Sequence, residues 1–171
     1  MRIALVIVPA ALALAGVSAT TALGHQASAA ASKHAVVKTR HGALGTFLVD
    51  GKGRTLYLFK KDTTSKSRCT GMCASDWPPL TTKERPEAEG GAKQRMLSTS
   101  RRAGGAKQVV YHGHPLYHFA FDNKAGDTNG EGVFAFGARW YVVSASGKAI
   151  TPAGAATPSP TSTPTPTPYP Y

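Results

Sequence analysis

Gly53-Arg54-Thr55-Leu56-Tyr57-Leu58-Phe59-Lys60-Lys61-Asp62 and Gly113-His114-Pro115-Leu116-Tyr117-His118-Phe119-Ala120-Phe121-Asp122 are one pattern written twice, 60 residues apart. Gly, Leu, Tyr, Phe and Asp coincide at five positions, and each copy is later followed by a tryptophan, Trp77 or Trp140. Self-similarity at a fixed shift marks a duplicated supersecondary unit. Side chains alternate along a strand, so Tyr57 and Phe59 share a face. Upstream of the first copy, Thr46–Asp50 meets Gly51-Lys52-Gly53, giving two strand-like runs around a Gly-rich turn. In the second, Gln108–Tyr111 reaches a turn at His112-Gly113 and continues as Leu116–Phe119. Arg95–Ser100 pairs ahead of it through Ala103-Gly104-Gly105, and Trp140–Val143 supplies a last strand. Thr82–Ala92, with Pro86 and Gly90-Gly91, reads as a connecting loop. The expected fold is all-β: a compact sandwich or barrel-like domain of two related β-hairpin units, in which closure hides the strand edges. Leu56, Tyr57, Phe59, Trp77, Leu116, Tyr117, Phe119 and Trp140 are its expected core.

Outward from this pair, composition sets the limits. Of the six Phe, six Tyr and two Trp, all but Tyr169 and Tyr171 lie between Phe47 and Tyr141. Only that window can build a core, which leaves room for one domain and excludes a large multidomain enzyme. Met1–Ala31 has the pattern of a secretory signal: Arg2, an apolar run from Ile3 to about Ala15, and the small-x-small site Ala27-Ser28-Ala29. No Cys lies near that site, so a lipidated mature N-terminus is not expected. The resulting expectation is a signal peptide at 1–30 and a flexible segment at 31–44. The repeat domain follows at 45–150, with repeat 1 at about 45–80, a loop at 81–94 and repeat 2 at about 95–148. A Pro/Thr-rich disordered tail occupies 151–171. In that tail, proline at every second residue removes backbone donors and favours extended polyproline II. No transmembrane segment is expected once the signal is cleaved.

Several separated motifs stand in order between Gly45 and Gly147. They are Tyr57/Phe59/Asp62, Cys69-Thr70-Gly71-Met72-Cys73-Ala74-Ser75-Asp76-Trp77-Pro78-Pro79-Leu80, Tyr117/Phe119/Asp122, and Gly126-Asp127-Thr128-Asn129-Gly130-Glu131-Gly132. Together they resemble the bacterial "secreted repeat of unknown function" family, also described as predicted lipoproteins with a tandem Y-x-(F/W/Y)-x-x-D motif. The resemblance implies export, a tandem repeat and a cell-envelope location. The chain departs from lipoprotein members in lacking the lipidated Cys, which favours a secreted or wall-associated form.

Four groups are candidates for chemistry. An even cysteine count in an exported chain predicts a Cys69–Cys73 disulfide, expected at the surface and shaping the turn before Trp77. The alternative is a copper site using the two thiolates, Met72 and a histidine. His114 and His118 are metal candidates by residue type, but four residues along a strand is about 13 Å, too far to chelate one ion together. Asp127, Asn129 and Glu131 alternate in a Gly-rich loop that can surround calcium with oxygens; Asx-turns explain the same composition. The repeated Asp62 and Asp122 suggest a carboxylate pair, but Asp just past a strand end commonly caps a turn through its own backbone. No catalytic residue is assigned, and the repeated Tyr and Phe read as core.

The formal net charge is +11, and loss of Arg2 with the signal leaves +10. Such a chain is attracted to anionic surfaces, a cell-wall polymer or a lipid headgroup layer. Export argues against nucleic acid. The expectation is therefore a non-enzymatic exported module that binds an anionic envelope component, with an extracytoplasmic copper or redox protein as the alternative.

Overall fold

The computed structural model describes residues 34–151. The expected signal peptide at 1–30 and the expected disordered tail, apart from Thr151, lie outside the described residues. Within them the fold is all-β and sandwich-like, made of three sheets, with one five-residue helix, α1 (Met72–Asp76). The strands are β1 (Val36–Gly42), β2 (Gly45–Asp50), β3 (Tyr57–Phe59), β4 (Thr81–Thr82), β5 (Glu87–Ala88), β6 (Leu97–Arg101), β7 (Lys107–Tyr111), β8 (His114–Pro115), β9 (Phe134–Ala135) and β10 (Ala138–Val142).

Each repeat opens with an antiparallel hairpin, β1–β2 in the first and β6–β7 in the second. Each then turns back on itself. In repeat 1 the turn runs through Gly51-Lys52-Gly53, with the Asp50 N–H donating to the Arg54 carbonyl at 2.8 Å. Gly53 has φ +84° and an added Cβ would sit 3.2 Å from the Ala125 side chain, so both conformation and space favour glycine there. In repeat 2 the turn is one residue shorter, His112-Gly113, and Tyr111 faces His114 directly.

After the turn, each repeat leaves its own hairpin for the other. β3 of repeat 1 pairs with β10 of repeat 2, setting Phe59 opposite Trp140 and Tyr57 opposite Val142. β4, which follows Trp77 in repeat 1, pairs with β7 of repeat 2. Two closed rings of backbone hydrogen bonds result. Leu48 donates to Val143, Val143 to Leu56 and Leu56 to Leu48; Val109 donates to Leu80, Leu80 to Leu116 and Leu116 to Val109. In each ring two residues come from one repeat and the third lies just past the other repeat's tryptophan. The halves are intertwined.

Because β3 is covered on both faces, its alternation divides the core in two. Tyr57 and Phe59 join an aromatic cluster with Trp77, Tyr117 and Trp140. Leu56 and Leu58 join an aliphatic one with Val37, Leu48, Val109, Leu116 and Val143. All eight expected core residues lie in the core, although Phe119 is only partly buried.

Three expectations need correction. The segment 31–44, read as flexible, contains β1, which is the central strand of its sheet and buries Val37 completely. Its alternation is hidden by the polar residues Lys38, Arg40 and His41, of which Lys38 is half-buried and the other two exposed. The loop at 81–94 contains β4 and β5, and β5 runs parallel to β1; strands of two residues are too short to show a period. The disulfide is in the core, with Cys69 0% and Cys73 5% exposed, and not at the surface. The helix places Cys73 on its inner side, one turn before Trp77, whose N–H donates to the Cys73 carbonyl.

Candidate functional site

The repeated motif works as a reciprocal clasp. The Tyr57 hydroxyl donates to Asp122 Oδ2 and the Tyr117 hydroxyl to Asp62 Oδ2, each at 2.7 Å. The two tyrosines also exchange backbone hydrogen bonds, at 2.9 and 3.0 Å. Each tyrosine therefore bonds the aspartate of the other repeat. The second carboxylate oxygens accept backbone N–H groups, Asp62 from Arg68 and Asp122 from Asn129. Burial pushes both aspartates up, opposed by these donors. Burial, reinforced by the facing carboxylates, also raises both tyrosines well above the ordinary phenol value. They remain protonated donors.

The rings obey the same exchange. Phe59 stacks on Trp140 at 4.0 Å, Trp140 on Trp77 at 4.0 Å, and Trp77 on Phe119 at 4.2 Å. Each repeat's phenylalanine covers the other's tryptophan. Tyr57 meets Trp77 edge-on at 5.4 Å and Tyr117 meets Trp140 at 5.0 Å, the offset and edge geometries that aromatic quadrupoles favour. The motif is thus the join between the repeats.

The metal candidates are dispersed by other tasks. Cys69 and Cys73 are bonded to each other, Cα–Cα 5.2 Å, and so present no thiolate pair to copper; Met72 stands 79% exposed beside them. His118 is buried, its Nε2 3.1 Å from Asp50 Oδ2. His114 is half-buried in another strand pair, where burial, Lys60 and His112 lower its pKa. Asp127 Oδ2 accepts the N–H groups of Asn123 and Lys124. The Asn129 amide donates to the Phe121 carbonyl, and Glu131 Oε2 accepts the Val142 N–H. This loop lies over the rings: a Cβ on Gly130 would sit 2.7 Å from Trp77 and 2.9 Å from Tyr57. Among the described residues no three His, Cys, Asp or Glu side chains converge on one point.

Two polar clusters were not legible in the sequence. In one, Asp50 accepts Arg54 Nε at 2.8 Å and the Lys52 and Arg54 N–H groups at 2.9 Å, besides meeting His118. Burial alone would raise this carboxyl. The His118 and Arg54 bonds outweigh it and hold Asp50 far below the usual carboxylate range. The cluster borders a cavity of about 130 Å³ lined by Arg54, Thr55, His118 and Asp122.

The other is built on the disulfide. The Arg102 guanidinium donates to Ser67 Oγ at 2.8 Å, Gln108 Oε1 at 2.6 Å and the Cys69 carbonyl at 2.6 Å. It straps the turn of the second hairpin to the Cys69 loop of the first repeat. Beside it lies a groove of about 480 Å³ lined by Lys66, Ser67, Thr70, Gly71, Arg101 and Arg102, with no carboxylate among these lining residues. A groove of about 530 Å³ near the N-terminal strand mixes Lys52 and Arg54 with Asp50 and Glu89, so its charges offset. Lys66 and the Arg101-Arg102 pair are 35 residues apart in the chain. The adjacent arginines are the only sequence signal for the basic groove.

The family described as "Secreted repeat of unknown function" matches the chain twice, over residues 38–81 and 98–144. Each match spans one hairpin, its motif and the segment that crosses to the other half. No curated protein and no solved structure matches the chain.

Proposed function

This chain belongs to the family of secreted repeats of unknown function, and we propose that it is a non-enzymatic envelope module that binds an anionic polymer of the cell wall. The observation that carries the reading is the basic groove at Lys66, Arg101 and Arg102. A groove of one sign beside hydroxyl and backbone donors favours a chain of phosphates or carboxylates. The overall charge of +11 acts in the same direction by speeding encounter. The conspicuous carboxylates support a scaffold: Asp62 and Asp122 are engaged by tyrosine hydroxyls and backbone N–H groups. Among the described residues no helix is long and apolar enough to cross a membrane.

Lys66 and Arg101 are exposed, whereas Arg102 holds the fold together, so the test uses the first two. Lys66→Glu/Arg101→Glu is expected to melt with the parent protein and to sediment with isolated cell walls about tenfold less, with the parent's binding falling as salt rises. Equal sedimentation of parent and variant, or binding indifferent to salt, refutes the groove as the polymer site.

A further inference from the structure

β9 and β10 form a hairpin whose turn is Phe136-Gly137, with Ala135 opposite Ala138 and Phe134 opposite Arg139. Both turn residues have positive φ, 57° at Phe136 and 86° at Gly137. This is the type I′ geometry, whose first position is ordinarily Asn, Asp or Gly. A phenylalanine there holds a conformation that L side chains with a bulky Cβ substituent avoid. Burial compensates it only in part: Phe136 is 37% exposed, and Phe134 on the same hairpin 67%. A strained aromatic at an exposed tip marks a candidate contact surface.

The surroundings of the tip are basic. The Arg139 guanidinium lies 6.0 Å from the Phe134 ring centre. Lys61 Nζ donates to the Phe136 carbonyl at 3.1 Å, holding its cation against the turn. The Lys60 N–H donates to the Arg139 carbonyl, placing Lys60 on the neighbouring strand. Two exposed rings therefore stand beside three exposed cations. Aromatic rings settle at the headgroup level of a bilayer, and lysine and arginine beside them pair with anionic lipid phosphates.

We propose that the Phe134–Gly137 tip is a membrane-docking element that inserts Phe134 and Phe136 into the headgroup layer of an anionic bilayer, while Lys60, Lys61 and Arg139 contact lipid phosphates. The site shares no residue with the basic groove at Lys66 and Arg101 and does not depend on the polymer reading. Docking by one two-ring tip is weak and reversible, and strongest at low salt.

The test is co-sedimentation of the mature full chain with vesicles of phosphatidylglycerol and phosphatidylcholine, against phosphatidylcholine alone. The parent is expected to bind the anionic vesicles and not the neutral ones. Phe134→Ser/Phe136→Asn is expected to bind at least about tenfold less. Asparagine suits the left-handed conformation, so Phe136→Asn alone is expected to melt no lower than the parent, which separates lost docking from lost folding. Lys66→Glu/Arg101→Glu is expected to keep most of its vesicle binding. Failure of the parent to bind anionic vesicles overturns the proposal, as does full binding by a folded Phe134→Ser/Phe136→Asn variant. If those Phe substitutions abolish wall sedimentation and leave vesicle binding intact, the tip is a polymer contact and the lipid assignment falls.

Discussion

Tyr57 and Tyr117 each present one hydroxyl to a partly buried carboxylate of the other repeat, at 2.7 Å. Removing the hydroxyl leaves the carboxylate short of a donor, so Tyr57→Phe and Tyr117→Phe are each expected to cost about 1–3 kcal/mol. A double-mutant cycle of Tyr57→Phe with Asp122→Asn, followed by urea denaturation, should show a coupling above about 0.5 kcal/mol; simple additivity would mean that the clasp contributes nothing. Asp50 makes a pH prediction. His118 and Arg54 hold its folded pKa below the ordinary 3.8 in spite of burial. Its contribution is therefore present above pH 3.8 and lost as pH falls through the folded value. Asp62 and Asp122 have the opposite sign: burial raises them, so what they contribute is present below 3.8 and lost as pH rises through their folded values. Asp50→Asn is expected to lower the melting temperature at pH 7 and to flatten its decline below pH 4. An unchanged acid limb would show that Asp50 does not govern it.

At the scale of elements, the loop closed by Cys69–Cys73 is short. Chain entropy alone makes the bond worth about 2 kcal/mol. Its burial changes the expectation, because Cys69, Cys73 and Trp77 share the aromatic cluster. Cys69→Ser/Cys73→Ser also places two hydroxyls among rings, and is expected to cost more than the entropic figure, about 3–4 kcal/mol, read from denaturant midpoints. The loop Asp122–Gly132 shows how composition misleads. Its alternating oxygens look like a calcium cradle, but the oxygens named above bind the loop's own backbone, the Tyr57 hydroxyl or β10. Its glycine at 130 admits the edges of Trp77 and Tyr57. Gly130→Ala is expected to lower the melting temperature by several degrees, since backbone and two rings must shift to admit a methyl group; a variant as stable as the parent would show that this contact is slack.

Across the whole molecule, the halves exchange their strands, their phenylalanines and their tyrosine–aspartate bonds. Neither half retains a complete core when separated: repeat 1 would lose the β10 partner of β3, and repeat 2 would lose β4 and Trp77. Chains cut at the exposed Gly90-Gly91 turn are accordingly expected to be unfolded singly and to assemble when mixed, judged by near-ultraviolet circular dichroism. A first half that gives a native-like signal alone would disprove the intertwined account. The clasp also engages the motif's own side chains with one another. Its ring stack fills the space between the halves, and the two binding roles proposed above lie on surfaces the repeat does not duplicate, the basic groove and the Phe136 tip.

Much was already legible in the residues. The shift of 60 between Gly53–Asp62 and Gly113–Asp122 identified two β units, and alternation put Tyr57 and Phe59 on one buried face, because duplication and strand period are local properties of the chain. The Cys69–Cys73 pairing followed from cysteine count and the signal of export. Only the tertiary structure decided that each motif closes on the other repeat, that β1 is a central strand, that the disulfide is buried and that Lys66 and Arg101 line one groove. Those are matters of which segments pair across 30 to 90 residues. A hydrophobic pattern records that a side chain must leave water; it does not record which distant strand or ring will receive it.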